Sequence, residues 1–270
     1  MNKKLQLPVA FYYKIMKYLV LIIALITIGF TSLVSIPGSP YLIGGMTQAD
    51  ISNMFPSAIT PAGITFAIWS IIYLSWILAG LALSGLPVTS LTKRYFPRVV
   101  PYLKDTETSK TAIIAFSTAI SLTGLWLIPW GNIYIGMALI VMLMILGFLK
   151  YAFHLTRKSS WLVRSSVELT LGWINIATVA NITIWLIYIW FTGGGIPETY
   201  WAIGVLGLAL LLTSYYQCRY HTYIISLVFL WTMIGEWIAH PILEQRVAVV
   251  IYSLVVIINM IISYNKKHKK

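Results

Sequence analysis

Long apolar segments alternate with short polar ones along almost the whole chain. Eight of these segments are about 20 residues long, the length that an α-helix needs to cross roughly 30 Å of hydrocarbon. They run over residues 16–36, 63–85, 111–130, 133–153, 165–191, 199–217, 221–240 and 246–264. The pattern predicts an all-α integral membrane protein, folded as an eight-span helical bundle.

Composition supports this prediction and excludes several other classes. Hydrophobic residues make up 59% of the 270 residues and charged residues 10%, which leaves too little polar surface for a water-soluble fold. The single cysteine, Cys218, excludes an internal disulfide and a cysteine-based metal cluster. The net charge of +12 does not indicate a nucleic-acid partner, because the basic residues lie in short segments between apolar runs.

The basic residues predict the orientation of the spans. When successive loops are assigned to alternate sides, 18 of the 19 Lys and Arg residues share one side and Arg246 lies on the other. Cytoplasmic loops retain Lys and Arg, so we expect a multi-pass protein of the cell membrane with both termini in the cytoplasm. The first segment, preceded by Lys14 and Lys17, is interpreted as an uncleaved helix rather than a signal peptide.

Three linkers carry further information. Residues 37–62 form an outer loop rich in proline and glycine, which favours a compact, shaped cap. The Pro-Trp-Gly-Asn sequence at 129–132 predicts a tight hairpin, so spans three and four should be antiparallel neighbours. The Gly-Gly-Gly-Ile-Pro sequence at 193–197 predicts a break between spans five and six.

Tryptophans recur in ordered motifs. In span five, Trp173, Ala177, Asn181 and Trp185 follow one another at intervals of four residues, which places them along one stripe of a helix. Because this is the clearest motif in the chain, we expect the stripe to face the interior of the bundle.

Two other segments carry related motifs. Residues 122–126 read Leu-Thr-Gly-Leu-Trp, with Trp130 after them. The outer loop and span two contain Phe-Pro at 55–56, then Pro-Ala-Gly-Ile-Thr-Phe-Ala-Ile-Trp at 61–69, and then Tyr73.

Together these segments, over residues 12–192, resemble the tryptophan-rich sensory protein and translocator family (TspO/MBR). Four details depart from the family pattern: Thr123 replaces the usual Asn, Trp130 stands where Phe is common, Ala62 replaces a Pro, and the interval from Phe66 to Trp69 is one residue shorter. The resemblance implies a TspO/MBR-like five-helix core at 1–192 and a three-helix C-terminal extension at 193–270, which makes this chain a long variant.

The resemblance also implies a pocket under the first loop that binds tetrapyrroles or, in some members, sterols and synthetic ligands. Aromatic walls with a few polar groups suit such flat molecules. The implied ligand-binding residues are Trp69, Tyr73, Trp126, Trp130, Trp173 and Trp185, with Asn181 as polar anchor. The alternative interpretations are an aromatic belt at the membrane surface and, for Asn181, an interhelical hydrogen bond.

Two acidic residues lie within apolar segments. Glu236 is followed by His240 one turn later and lies about 6 Å from the outer end of its helix, which favours an interfacial pair with access to water. Glu168 follows Arg164 by one turn, which predicts an ion pair. Four scattered histidines predict no metal site, and no catalytic motif is recognisable.

The sequence therefore favours a non-enzymatic protein that binds a tetrapyrrole or another flat hydrophobic molecule for sensing or translocation and requires no cofactor. A small-solute secondary transporter, with Glu236 in a coupling role, is the alternative. A membrane enzyme acting on a lipid or tetrapyrrole has less support. The expected partners are the lipid bilayer, a hydrophobic small molecule and, in a homodimer, a second copy of the chain, whereas nucleic acid is not expected.

Overall fold

The computed structural model describes residues 9–87, 89–95, 97–98, 100 and 104–268, and every regular element within these ranges is helical. Short 3₁₀ turns among the described residues include Ile43–Gly45, Gly63–Ala67 and Gly193–Gly195. The α-helices are α1 Val9–Leu33, α2 Gln48–Met54, α3 Ile68–Ser84, α4 Ser90–Tyr95, α5 Lys110–Leu125, α6 Leu127–Gly131, α7 Ile135–Leu155, α8 Trp161–Tyr188, α9 Glu198–Tyr220, α10 Tyr223–Ala239 and α11 Leu243–His268.

Each of the eight predicted spans corresponds to one long helix, except that 111–130 corresponds to α5 and α6 together. Seven helical segments among the described residues are long and apolar enough to cross a membrane, and α10 is a shorter apolar helix of 17 residues. At the helical rise per residue α10 is about 26 Å long, close to the thickness of the hydrocarbon. The prediction of an all-α membrane bundle is confirmed, and α2 and α4 lie in the connecting loops.

The predicted boundaries differ from the helix ends by up to seven residues. α1 already begins at Val9, and α11 runs from Leu243 to His268, beyond the predicted 246–264. The apolar pattern marks the part of a helix that lipid would surround, whereas the helix continues into polar residues. The predicted hairpin at 129–132 is a single turn of α6 followed by Asn132 and Ile133, and it joins α5 and α7 as packed neighbours.

Contacts between helix ends define two sides of the bundle. On one side, Lys17 of α1 lines a cavity of about 60 Å³ together with Asp105. The backbone N–H of Asp105 donates to the carbonyl of Ala82 near the end of α3. His221 at the end of α9 bonds Ser263 near the end of α11. The start of α1 and the end of α11 lie on this side, called the terminal side, and the opposite side, which carries residues 37–62, is called the loop side.

Two apolar cores meet at α8. Helices α1, α3, α5, α7 and α8 share the larger core, which includes Trp76, Phe116 and Leu149. Helices α9, α10 and α11 form the smaller core, against which Ala180 of α8 packs. α10 crosses α8 so closely at Gly172 that a Cβ there would lie 3.1 Å from that of Val228. The predicted division at residue 192 separates two cores that are in direct contact, and as a division into domains it stays a prediction.

Candidate functional site

Residues 43–54, called the lid, form a compact cap on the loop side. Its helix α2 begins with a capping box, in which Thr47 Oγ1 accepts from the Asp50 N–H at 3.2 Å and the Asp50 carboxylate accepts from the Thr47 N–H at 2.8 Å. Hydrogen bonds from Thr47 also hold the pKa of Asp50 below its ordinary value. Ile51 points from this helix into the protein and is fully buried.

The lid touches the hairpin between α5 and α7 backbone to backbone. Gly44 has a φ of +67°, and a Cβ at this position would lie 2.1 Å from the carbonyl oxygen of Gly131. A Cβ on Gly131 would in turn lie 2.7 Å from the Cβ of Ile43. Both positions therefore require glycine for the lid to close on the hairpin.

An apolar and aromatic group, called the lid cluster, lies directly beneath the lid. Trp126 and Trp130 stack with ring centroids 4.8 Å apart. Trp130 is only 3% exposed, and its indole N–H has no hydrogen-bond partner among the described residues. The cluster consists of Met46, Ile51, Phe55, Trp126, Trp130, Ile133, Ile135, Ala138, Ile184 and Trp185.

Asn181 makes the interhelical hydrogen bond that was the alternative to a ligand contact. Its Oδ1 accepts from Trp126 Nε1 at 3.2 Å, and its Nδ2 donates to the carbonyl of Ala177 at 2.9 Å. Trp173 and Asn181 are buried and Ala177 and Trp185 are half-buried, so the four-residue stripe of α8 faces the bundle interior as expected. Trp185 lies beside α7, within 3.5 Å of a Cβ built on Gly136.

A second aromatic group, called the inner group, lies between α3 and α8. The Trp69 ring centroid is 5.5 Å from that of Tyr73 and 6.3 Å from that of Trp173, and Phe66 contacts Trp173 edge to face at 5.6 Å. Trp76 packs against Trp69 and donates from Nε1 to Thr170. The structure therefore divides the predicted residues into two groups: Trp69, Tyr73 and Trp173 in the inner group, and Trp126, Trp130, Asn181 and Trp185 under the lid.

Trp126 links the two groups. It packs against the large core that contains the inner group and also against the lid cluster.

Residues 57–67, called the strap, lead from the lid into α3 and are fastened to the C-terminal helices. Five backbone groups from four residues of the strap take part in hydrogen bonds across this junction. These are Ala58 N to Glu198 Oε1 at 2.8 Å, Gln245 Nε2 to Ala58 O at 2.6 Å, His240 Nε2 to Thr60 O at 3.1 Å, Ala62 N to Gly235 O at 3.1 Å and Trp231 Nε1 to Thr65 O at 2.8 Å.

The strap needs these hydrogen-bond partners because of its depth along α10. Gly235, which accepts from Ala62, lies four residues before the end of α10, or about 6 Å below that end at the helical rise. Irregular backbone at such a level is stable where other parts of the protein cover it and satisfy its polar groups. The predicted cap at 37–62 thus has two parts: the lid covers the five-helix core, and the strap packs against α10 and α11.

The contacts at this junction determine the surroundings of Glu236. The expected pairing with His240 is present, with 3.6 Å between Glu236 Oε2 and His240 Nε2, but the expected access to water is wrong, because Glu236 is 1% exposed. The strap and α11 cover the position that the sequence pattern alone assigned to the membrane surface. At the other side of the bundle, the predicted Arg164–Glu168 ion pair is confirmed at 3.6 Å.

Two residues of these sites, Trp76 and Gln245, were not predicted from the sequence. Trp76 continues the series of Trp69 and Tyr73 at helical spacing and was recognisable from it. Gln245 carries no such signal, since its partner Ala58 is 187 positions away in the chain.

Comparison with known proteins gives a match to a protein family. The family model described as TSPO-like protein matches residues 17–264, which includes α9, α10 and most of α11 as well as the five-helix core. Comparisons with curated proteins and with solved structures gave no significant match. Because the family model covers far more than half of the chain, this multi-pass membrane protein belongs to the TSPO-like protein family.

Proposed function

We propose that this chain is a non-enzymatic ligand-binding membrane protein, which takes up a tetrapyrrole or another flat hydrophobic molecule beneath the lid for sensing or translocation. Membership of the TSPO-like family supports the proposal in general terms. The lid cluster supports it in particular, because stacked indole rings offer the large flat surface that such a molecule would contact.

The observation that carries the proposal is the unpaired indole N–H of Trp130. This donor is buried beside Trp126 and Ile51, and no acceptor among the described residues reaches it. An unmet buried donor costs roughly 1–3 kcal/mol. A carboxylate or ring nitrogen of a bound ligand would satisfy this donor while the ring system stacks on Trp126.

Uptake requires the lid to move, because Ile51 of the lid is buried in the same cluster as the aromatic rings. The close approach of Gly44 and Gly131 would act as the point of closure. α2 keeps its own capping box through Thr47 and Asp50, so it can move as a preformed unit. Asn181, which holds Trp126 by a hydrogen bond, positions that indole and could orient a polar group of the ligand.

We further propose that the protein lies in the cell membrane with the terminal side in the cytoplasm. The distribution of Lys and Arg supports this orientation, with Arg246 as the exception on the loop side. Lys3, Lys4, Lys269 and Lys270 contribute to that count and lie outside the described residues. The lid would then face the exterior.

A small-solute secondary transporter is the second candidate. The irregular strap between α3, α10 and α11 favours it, since transporter sites commonly use interrupted backbone within the membrane. Solute-dependent flux in proteoliposomes would support this candidate, and saturable porphyrin binding without flux would support the ligand-binding function.

The test of the proposal removes the stacking surface. The double variant Trp126→Leu/Trp130→Leu keeps the spans hydrophobic, and its porphyrin affinity should fall at least about tenfold, or about 1.4 kcal/mol. Trp161→Leu/Trp190→Leu is the matched control, because these tryptophans are 57% and 89% exposed. Unchanged affinity in the first variant, or an equal loss in both, would contradict the proposal.

A further inference from the structure

Three buried oxygen atoms without partners lie in the junction between the strap and the C-terminal helices. They are Glu236 Oε1, Gln245 Oε1 and Thr65 Oγ1, and none of them has a hydrogen-bond partner in the part of the chain that the structure describes. The three residues are between 0% and 1% exposed. Of the twelve buried polar side-chain atoms without a partner among the described residues, three lie in this junction, which makes it a candidate site for a bound species.

Glu236 and Gln245 are in direct contact, and Thr65 lies against Gly235, the residue before Glu236. The Glu236 Oε2 atom accepts from Gln245 Nε2 at 3.3 Å, and the same nitrogen donates to the Ala58 carbonyl, which fixes the orientation of the amide. Thr65 packs against the neighbouring Gly235, where a built Cβ would lie 1.9 Å from Thr65 Oγ1. The carboxyl and the amide are therefore in direct contact, and the hydroxyl lies against the residue that precedes Glu236 on α10.

Among the described residues, no Lys or Arg side chain forms an ion pair with the Glu236 carboxylate. His240 lies 3.6 Å away, but its Nε2–H donates to the Thr60 carbonyl, and burial lowers the pKa of this imidazole, which follows the end of α10. Burial therefore favours the neutral form of the imidazole. Arg246 donates instead to the carbonyls of His240 and Trp237.

The remaining charged groups of the junction are acidic. Glu198 accepts from the Ala58 N–H on the outer face of the strap, and Glu244 is exposed at the start of α11. Neither can neutralise Glu236. A buried carboxylate without a charge partner is costly by several kcal/mol, so a positive species at this position would stabilise the fold considerably.

We propose that this junction binds a small monovalent cation, either a proton on Glu236 or an alkali ion held by the oxygens of Glu236, Gln245 and Thr65. One carboxylate with neutral oxygen ligands matches a single positive charge, and hard cations prefer oxygen ligands. The bound cation keeps the strap docked on α10 and α11. The site is separate from the lid cluster, so the cation proposal does not depend on whether a ligand binds beneath the lid.

The test measures thermal unfolding of the purified full-length chain. At pH 8, the midpoint is compared in NaCl, KCl and N-methylglucamine chloride at equal ionic strength, and a pH series follows in N-methylglucamine chloride. A saturable rise with Na⁺ or K⁺ supports an alkali ion, and a rise on acidification without them supports a proton. A midpoint that responds to neither would mean that the junction holds water only, and would overturn the proposal.

Two variants assign the effect to the site. Glu236→Gln should abolish whichever dependence the wild type shows. Glu168→Gln should retain it, because this second buried carboxylate is paired with Arg164 at the terminal side. Dependence that survives in Glu236→Gln, or is lost equally in both variants, would refute the assignment.

Thr65→Val distinguishes alkali-ion binding from proton binding. It also serves as the test variant if Glu236→Gln does not fold. It keeps the shape of the side chain and removes the hydroxyl. If the hydroxyl binds an alkali ion, the affinity for that ion should fall about tenfold. If a proton is bound, the pH dependence should persist. If Thr65→Val were stabilised by the alkali ion with the same affinity as the wild type, the site as described would be contradicted.

Discussion

Gly235→Ala tests whether the strap is held on α10 as the structure shows. The new methyl group would lie 1.9 Å from Thr65 Oγ1 and 2.9 Å from the Cβ of Pro61. Rotation of the Thr65 side chain cannot relieve the contact, because the Cβ atom of Thr65 also lies 3.0 Å away and both Cβ atoms are fixed to the backbone of the strap. The strap must therefore move away from α10.

The expected cost follows from the hydrogen bonds at this point. Displacement would break Ala62 N to Gly235 O at 3.1 Å and Trp231 Nε1 to Thr65 O at 2.8 Å. Each buried group left unpaired costs roughly 1–3 kcal/mol. Alanine in place of glycine in a helix gains about 1 kcal/mol. The free energy of unfolding should fall by about 1–5 kcal/mol.

The assay is unfolding of the purified protein in detergent, followed by circular dichroism and tryptophan fluorescence. Gly204→Ala is the matched control, because no heavy atom lies within 4 Å of a Cβ built at that helical glycine. It should leave stability unchanged or raise it slightly. If Gly235→Ala were as stable as Gly204→Ala, the close contact between strap and helix would be refuted.

Three further predictions concern other parts of the chain. Asn181→Ala should lower the free energy of unfolding by about 0.5–2 kcal/mol, because it leaves the Trp126 indole N–H unpaired, and equal stability to wild type in a detergent unfolding assay would contradict that bond. A chain ending at residue 192 should fail to accumulate as a folded protein, because the strap loses its partners on α9, α10 and α11, and protease-resistant 1–192 in membranes would count against this account. Reporter fusions at residues 1 and 270, which lie outside the described residues, should both report the cytoplasm, and opposite readings would contradict the eight-span topology.

The spans were predictable because hydrophobic length is a local property of the sequence. A run such as 133–153 carries its own signal, and it appears as α7 within two residues at either end. The interior stripe of α8 was predictable for a similar reason, since Trp173 and Asn181 lie two helical turns apart on one face.

The two sites were harder to predict because they depend on contacts between distant segments. The lid lies on the α5–α7 hairpin because Gly44 and Gly131 allow close approach, and neither glycine reveals its partner in the sequence. The burial of Glu236 depends on Gln245 and on the strap, which lies about 175 residues earlier in the chain. A count of residues along α10 measures its depth within that helix but does not show what covers it.

The central claim is that the lid covers a site for a flat hydrophobic ligand, and a porphyrin titration of the purified wild-type protein tests it most directly. Quenching of tryptophan fluorescence would be followed against an identical titration of free tryptophan in empty detergent micelles. The account predicts saturable quenching by one porphyrin per chain, with the rings of Trp126 and Trp130 in contact with the ligand. Quenching that rises without saturation and equals that in empty micelles would contradict it.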